Sequence, residues 1–148
     1  MKIEKITLSN LTSIEGEQTI DFTEEPLRSA GLFAITGDMG SGKSTILDAI
    51  CLALYNKAPR FDNVDRIPTD DLKLAVEKSQ QVQANNSASI LRRGQTQGGV
   101  SVTFTTPSGE RYEATWLVRV TRSGNYSSPE RSLECLAPHH QKYDKADI

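Results

Sequence analysis

The chain has 148 residues, a formal net charge of −2, and a composition 24% charged and 36% hydrophobic. That length is enough for one domain with a sizeable core. Nearly balanced charge neither argues for nucleic-acid binding nor excludes it, since basic residues can cluster on one face, and no apolar run approaches the roughly 20 residues a membrane-crossing helix needs.

The first residues, Met1-Lys2-Ile3-Glu4-Lys5-Ile6, alternate charge with apolar side chains and carry no signal-like hydrophobic segment, which points to a cytoplasmic protein. Residues 2–9 are rich in Ile, Leu and Thr and predict a strand. A loop at Asn10-Leu11-Thr12-Ser13 leads towards Gly16. Gln18, Ile20 and Phe22 then alternate with Thr19 and Asp21, predicting a second strand that pairs with the first. After Glu24-Glu25-Pro26 comes Gly31-Leu32-Phe33-Ala34-Ile35-Thr36, which reads as a short buried strand.

The next segment, Gly37-Asp38-Met39-Gly40-Ser41-Gly42-Lys43-Ser44, fits the spacing G-x-x-x-x-G-K-[ST] of a phosphate-binding loop. An apolar stretch without Gly or Pro, residues 45–55, follows as a helix and stops near Asn56-Lys57-Ala58-Pro59. The residue types suit the chemistry. Glycines let the backbone bring several N–H groups close to phosphates, and the helix N-terminus adds unpaired N–H groups and the positive end of its dipole. Lys43 is expected to reach the β- and γ-phosphates, and Ser44 to offer its hydroxyl to Mg²⁺. The candidate nucleotide site is therefore Gly37, Asp38, Met39, Gly40, Ser41, Gly42, Lys43, Ser44 and Thr45, with ATP and Mg²⁺ as ligands. The fold class predicted is α/β, a P-loop NTPase.

Residues 61–98 turn polar and read as a surface insertion. Leu72, Ala75, Val76, Ser79 and Val82 approximate a weak helix after an N-cap at Thr69, and residues 85–89 and 95–99 read as loop. Then Val100, Val102 and Phe104 alternate with polar residues, Pro107-Ser108-Gly109 turns, and Tyr112, Ala114, Trp116, Val118 and Val120 share one face. This is a β-hairpin with one buried side. A third strand is expected at residues 131–136. Cys51 in the helix and Cys135 in that strand read as free thiols of a reducing compartment.

Several residues admit two readings. Asp48, one turn past Ser44, either supports the loop or metal through water or is an acid favoured by the helix dipole. Arg60 either reaches a phosphate or DNA or is a solvated loop residue. Arg92, Arg93, Arg111, Arg119 and Arg122 form a DNA-facing strip or a solvated charged face; Arg111 and Arg119 both point away from the Trp116 side and are the candidate DNA contacts. Trp116 reads as core, and His139-His140 lacks the companions a metal site needs.

Asn10-Leu11-Thr12-Ser13, Gly16-Glu17, Ile20-Asp21-Phe22, the run from Gly31 to Gly37, Leu47-Asp48-Ala49-Ile50, Leu52-Ala53-Leu54-Tyr55 and Pro59-Arg60 together resemble the start of the SbcC family. These are ABC-type ATPases related to the structural-maintenance-of-chromosomes proteins; residues 99–136 resemble the family more loosely, and 61–98 match poorly. The resemblance implies that residues 1–148 form the N-terminal half of an ABC/SMC-like ATPase head, with the coiled coil and C-terminal half lying elsewhere in a longer protein. It also implies ATP hydrolysis by the full-length protein, pairing with a second copy of the head, engagement of DNA ends in double-strand-break repair, and an SbcD-type metal-dependent nuclease subunit as partner. Thr12 departs from relatives that carry a basic residue near the nucleotide. The chain holds no Leu-Ser-Gly-Gly, no apolar run closing on Asp-Glu, and no glutamine loop, since Gln141 lacks an apolar strand context. The segment alone is therefore expected to be inactive. The alternatives are a free-standing P-loop enzyme such as a small-molecule kinase, or a nucleotide-binding regulatory module that does not hydrolyse.

Overall fold

The computed structural model describes residues 1–62, 87–137 and 141–144. The weak helix expected across residues 72–82 and the histidine pair 139–140 lie outside the described residues.

Alternating apolar and polar residues build one antiparallel sheet. Its strands are β1 (Lys2–Leu11), β2 (Ile14–Asp21), β3 (Gln97–Thr105), β4 (Arg111–Arg119), β5 (Glu130–Ala137) and β6 (Gln141–Asp144), in the order β2-β1-β3-β4-β5-β6. Register brings Ile6 opposite Val102 and Val102 opposite Ala114, while Leu8 faces Val100 and Val100 faces Trp116. The period-2 pattern thus collects Ile6, Leu8, Val100, Val102, Ala114, Trp116 and Val118 on one buried face.

Helix α1 (Lys43–Tyr55) covers that face. Its buried positions, Thr45, Asp48, Ala49, Leu52 and Ala53, recur at helical spacing. Burial of large side chains such as Leu52 and Trp116 contributes roughly 1.5–3 kcal/mol each. The helix ends at Asn56, which takes the left-handed conformation (φ 56°) that Asn tolerates. Asn56 Oδ1 accepts a hydrogen bond from the Trp116 indole N–H at 3.0 Å, joining the end of α1 to the sheet centre. A short helix α2 (Pro59–Asp62) follows. Trp116 is core, as its alternation predicts.

The structure corrects the reading of two regions. Residues 31–36, expected as a buried strand, take no regular element, and Leu32 is 93% exposed. A strand needs a ladder partner, and residues 31–36 pair with none of the six strands of the sheet. Phe33 instead packs on Phe22, with ring centroids 5.2 Å apart.

The second correction concerns residues expected as loop. Ser87–Ile90 forms a 3-10 turn with Ala88 and Ile90 buried, and β3 begins at Gln97. Gly98 and Gly99 sit inside the sheet because neighbouring backbone comes close: a Cβ on Gly98 would lie 2.7 Å from the Ser9 carbonyl oxygen, and one on Gly99 would lie 2.5 Å from that of Trp116. Polar composition signalled a loop where close backbone approach requires glycine. The strand at residues 131–136 is borne out within β5.

Candidate functional site

The phosphate loop runs directly into α1. Gly42 is the residue before the helix, at φ 100°, a conformation other residues adopt only with strain. A side chain there would also meet Ser13 Oγ at 3.0 Å and Ile14 Cγ1 at 3.2 Å. The β1–β2 turn therefore packs against the loop, and glycine alone satisfies both demands. No side chain caps α1, and no acidic residue stands in its first turn. Its leading N–H groups are thus open to an anion, with no carboxylate in the helix's own first turn to compete.

Lys43 curls back over the loop. Its ammonium donates to the Gly37 carbonyl at 2.6 Å and the Asp38 carbonyl at 2.7 Å, with Ser41 Oγ at 3.5 Å. Two carbonyls hold the charge at the loop's mouth, so little order remains to be imposed when an anion arrives. Ser44 is exposed beside it, and Met39 stands fully exposed at the loop tip. A cavity of about 530 Å³ opens here, walled by Met39, Gly40, Lys43, Ser44 and Thr45, and on its other side by Thr12 and Arg60.

Three contacts around the cavity escape a reading of the sequence. Thr12, at φ 43°, places its hydroxyl 2.6 Å from that of Thr45, which is only 3% exposed. Arg92 reaches the same turn from across the sheet: Nη1 donates to the Thr12 carbonyl at 3.0 Å and Nη2 pairs with Glu15 at 3.0 Å. The backbone reinforces this clamp, with Arg92 N–H donating to the Asn10 carbonyl and Thr12 N–H to that of Ile90. The third contact joins Arg60 Nη2 to Asp48 Oδ2 at 2.8 Å.

That pair resolves two ambiguities. Asp48 is a buried acid whose charge is met by Arg60, and it makes no other hydrogen bond through Oδ2. Arg60 is not a freely solvated loop residue, since Asp48 fixes it on the cavity wall with 42% of its side chain exposed. The nearest signal in the sequence is the spacing of Asp48 from Pro59-Arg60, which suggests a helix turning back at its end.

The candidate DNA contacts lie elsewhere. Arg111 and Arg119 both sit on β4 on the face away from Trp116, as parity predicts, but each is joined to a carboxylate. Arg111 Nε pairs with Glu4 at 2.6 Å, and Arg119 pairs with Glu130. Glu4 also accepts from the Thr105 hydroxyl; that bond, with the adjoining Arg111 guanidinium, outweighs partial burial and holds its carboxyl below the ordinary value of 4.5. Among the described residues no group of His, Cys, Asp and Glu is arranged to hold a metal ion, both cysteines are free, and no helix is long and apolar enough to cross a membrane.

Residues 5–137 match the family model described as an AAA domain. The chain belongs to this AAA-domain family. The AAA domain is 43% identical over 136 residues to the SbcC subunit of the nuclease SbcCD from Pseudomonas aeruginosa, covering 92% of this chain and 11% of that protein. It is 41% identical over 139 residues to the SbcC subunit of the nuclease SbcCD from Rhodobacter capsulatus, covering 90% of this chain and 11% of the relative. Over 61 residues it is 43% identical to a probable DNA double-strand break repair Rad50 ATPase of Aquifex aeolicus, covering 41% of this chain and 6% of the relative. The AAA domain thus spans about a tenth of the length of the first two relatives. The family match runs through residues 61–98, which the sequence alone relates to the family poorly.

Proposed function

We propose that this chain is the ATP-binding N-terminal segment of an ATPase that serves DNA double-strand-break repair, acting with a nuclease subunit of the SbcD type. The observation that carries the reading is Lys43, held by two carbonyls at the mouth of a loop that opens onto an uncapped helix N-terminus. Backbone N–H groups from Gly37 to Thr45 would cradle the phosphates, and the ammonium would neutralise the terminal ones. Ser44, exposed in the first turn of α1, has the hydroxyl such loops offer to Mg²⁺. When bound, the metal supplies charge neutralisation on the phosphate oxygens.

The relatives' names support the rest of the reading, because two of them are subunits of a nuclease and a third is a repair ATPase. On this reading residues 1–148 are the N-terminal half of a head. The C-terminal half contributes the remaining catalytic groups, and two heads close on ATP at DNA ends.

An apolar face supports the half-head reading. Phe33, Ile35 and Leu47 are exposed beside a cavity of about 510 Å³ that they line together with Ile3, Phe22, Ile46 and Ile50. Exposed apolar surface of this kind marks an interaction site, and the proposal assigns it to the other half of the head.

The test is calorimetric titration of the full-length protein with ATP and Mg²⁺, beside its Lys43→Ala variant. Loss of a charge-assisted contact to phosphate should weaken binding by tens- to thousandfold, about 2–5 kcal/mol. Equal affinities would remove the loop from the site.

A further inference from the structure

Thr12 stands in a conformation that threonine avoids. Its φ is 43°, in the left-handed region, where a β-branched side chain crowds its own backbone. Glycine would sit there without strain. Strain retained at a cavity wall points to a use, and the threonine hydroxyl has one. It meets the Thr45 hydroxyl at 2.6 Å, and Thr12 lines the same cavity of about 530 Å³ as Lys43 and Ser44.

The groups that hold this turn come from far along the chain. Asn10, also left-handed at φ 51°, accepts from the Gly16 N–H at 2.9 Å through Oδ1 and donates to the Gln97 carbonyl at 3.3 Å through Nδ2. The Thr12 N–H donates to the Ile90 carbonyl at 2.8 Å, and the Arg92 N–H donates to the Asn10 carbonyl at 2.9 Å. The Thr12 carbonyl, whose direction follows ψ of that residue, is held by a side chain instead: Arg92 Nη1 donates to it at 3.0 Å. The same guanidinium meets Glu15 through Nη2, so its two arms straddle the turn. Glu15 is 73% exposed at its side chain and Arg92 31%, and a pair so open to water adds little to stability. Its fork geometry does more, since it gives the guanidinium one orientation and aims Nη1 at the carbonyl.

We infer that Arg92 is a positioning residue of the nucleotide site, acting through Thr12. It holds Thr12 in the strained conformation that places the hydroxyl on Thr45 in the first turn of α1. Without it Thr12 relaxes, its hydroxyl leaves Thr45, and Ser13 and Ile14 lose their seat against Gly42. Arg92 needs no contact with the nucleotide in this role. The inference rests on the nucleotide-binding reading above.

The test titrates the full-length protein with ATP and Mg²⁺ at a temperature where thermal unfolding shows every variant folded. Arg92→Ala should weaken binding by roughly three- to thirtyfold, within the range for residues coupled in one hydrogen-bond network. Thr12→Gly separates positioning from general support. Glycine takes φ 43° unstrained and has no hydroxyl to place, so adding Arg92→Ala to Thr12→Gly should cost no further affinity. If Arg92→Ala does not fold, Arg92→Lys carries the same test, because one ammonium cannot reproduce the fork that spans carbonyl and carboxylate; it should bind ATP more weakly than wild type. The inference is overturned if the folded Arg92 variant binds ATP as wild type does, or if its loss multiplies with that of Thr12→Gly. In either case the phosphate-loop reading stands, whereas a wild type that binds no ATP overturns that reading and this inference with it.

Discussion

Thr12 and Thr45 share a hydrogen bond of 2.6 Å between their hydroxyls, tying the β1–β2 turn to the first turn of the helix behind the phosphate loop. Valine at position 12 keeps the shape of threonine and removes the hydroxyl, leaving the buried Thr45 without that partner. Thr12→Val should lower stability by about 1 kcal/mol and weaken nucleotide binding severalfold by loosening the helix start. Denaturant unfolding and ATP titration of the same variant check both. Weakened binding at unchanged stability would mean that Thr12 acts on the ligand directly.

Arg60 depends on Asp48 for its place at the cavity. Asp48→Ala removes a buried charge but lets a half-exposed guanidinium relax into water, so the cost should be about 1–3 kcal/mol rather than that of stranding a buried ion. Thermal unfolding of Asp48→Ala and Arg60→Ala separates the two. Arg60→Ala should be the more destabilising, because it leaves the buried carboxylate unpaired.

Glu4 makes stability depend on pH in a definite direction. Its carboxyl is held below the ordinary value of 4.5 by Thr105 and Arg111. That stabilisation is therefore complete above pH 4.5 and fades as pH falls through the lower folded value. Glu4→Gln should cost about 1 kcal/mol near neutrality, a modest figure because Arg111 is half exposed. The gap between variant and wild type should then narrow below pH 4.5. Melting temperatures of both proteins across pH 3–7 test it, and a gap that widened on acidification would contradict the assignment.

Arg111 and Arg119 each carry their own counter-charge. Duplex binding should consequently be weak, indifferent to sequence and salt-sensitive, with little of it passing through these two residues. Each phosphate contact contributes about 0.9 to the slope of log affinity against log salt. The double variant Arg111→Ala, Arg119→Ala should shift that slope by less than one. Anisotropy titrations at several salt concentrations decide, and a fall of nearly two would put both residues on the DNA backbone.

Turnover separates a half-site from a complete enzyme. Residues 1–148 contain no Leu-Ser-Gly-Gly and no apolar run closing on Asp-Glu, and hydrolysis needs charge neutralisation and a placed water together. The isolated segment should release phosphate far more slowly than about 1 s⁻¹. On the half-head reading, adding the proposed C-terminal half should raise the rate, and Lys43→Ala should abolish it. A kinase assay against nucleosides and sugars would follow if the segment alone proved fast.

What could be read from the sequence divides along physical lines. The loop from Gly37 to Ser44 is legible because its chemistry lies within a few consecutive residues. The hairpin of β3 and β4 is legible because burial on one face imprints a period of two. The clamp on Thr12 is not, since Arg92 stands 80 positions away and only the register of β1 on β3 brings it near. Gly98 and Gly99 mislead for the same reason, because the backbone they accommodate belongs to other strands. Residues 31–36 mislead in the opposite sense. Their pattern advertises burial, yet they join no ladder of the sheet and Leu32 stands exposed.

The apolar face at Phe33, Ile35 and Leu47 has a consequence for biosynthesis. If the segment that covers it lies at the far end of a long chain, the face leaves the ribosome early and waits for its partner. At roughly 5–20 residues per second, the wait lasts as long as translation of everything between. During that interval the nascent protein offers an adhesive surface to every neighbouring polysome. A holdase that recognises Leu and Phe side chains would find its binding site there, and would be displaced only when the late-arriving segment folds into place.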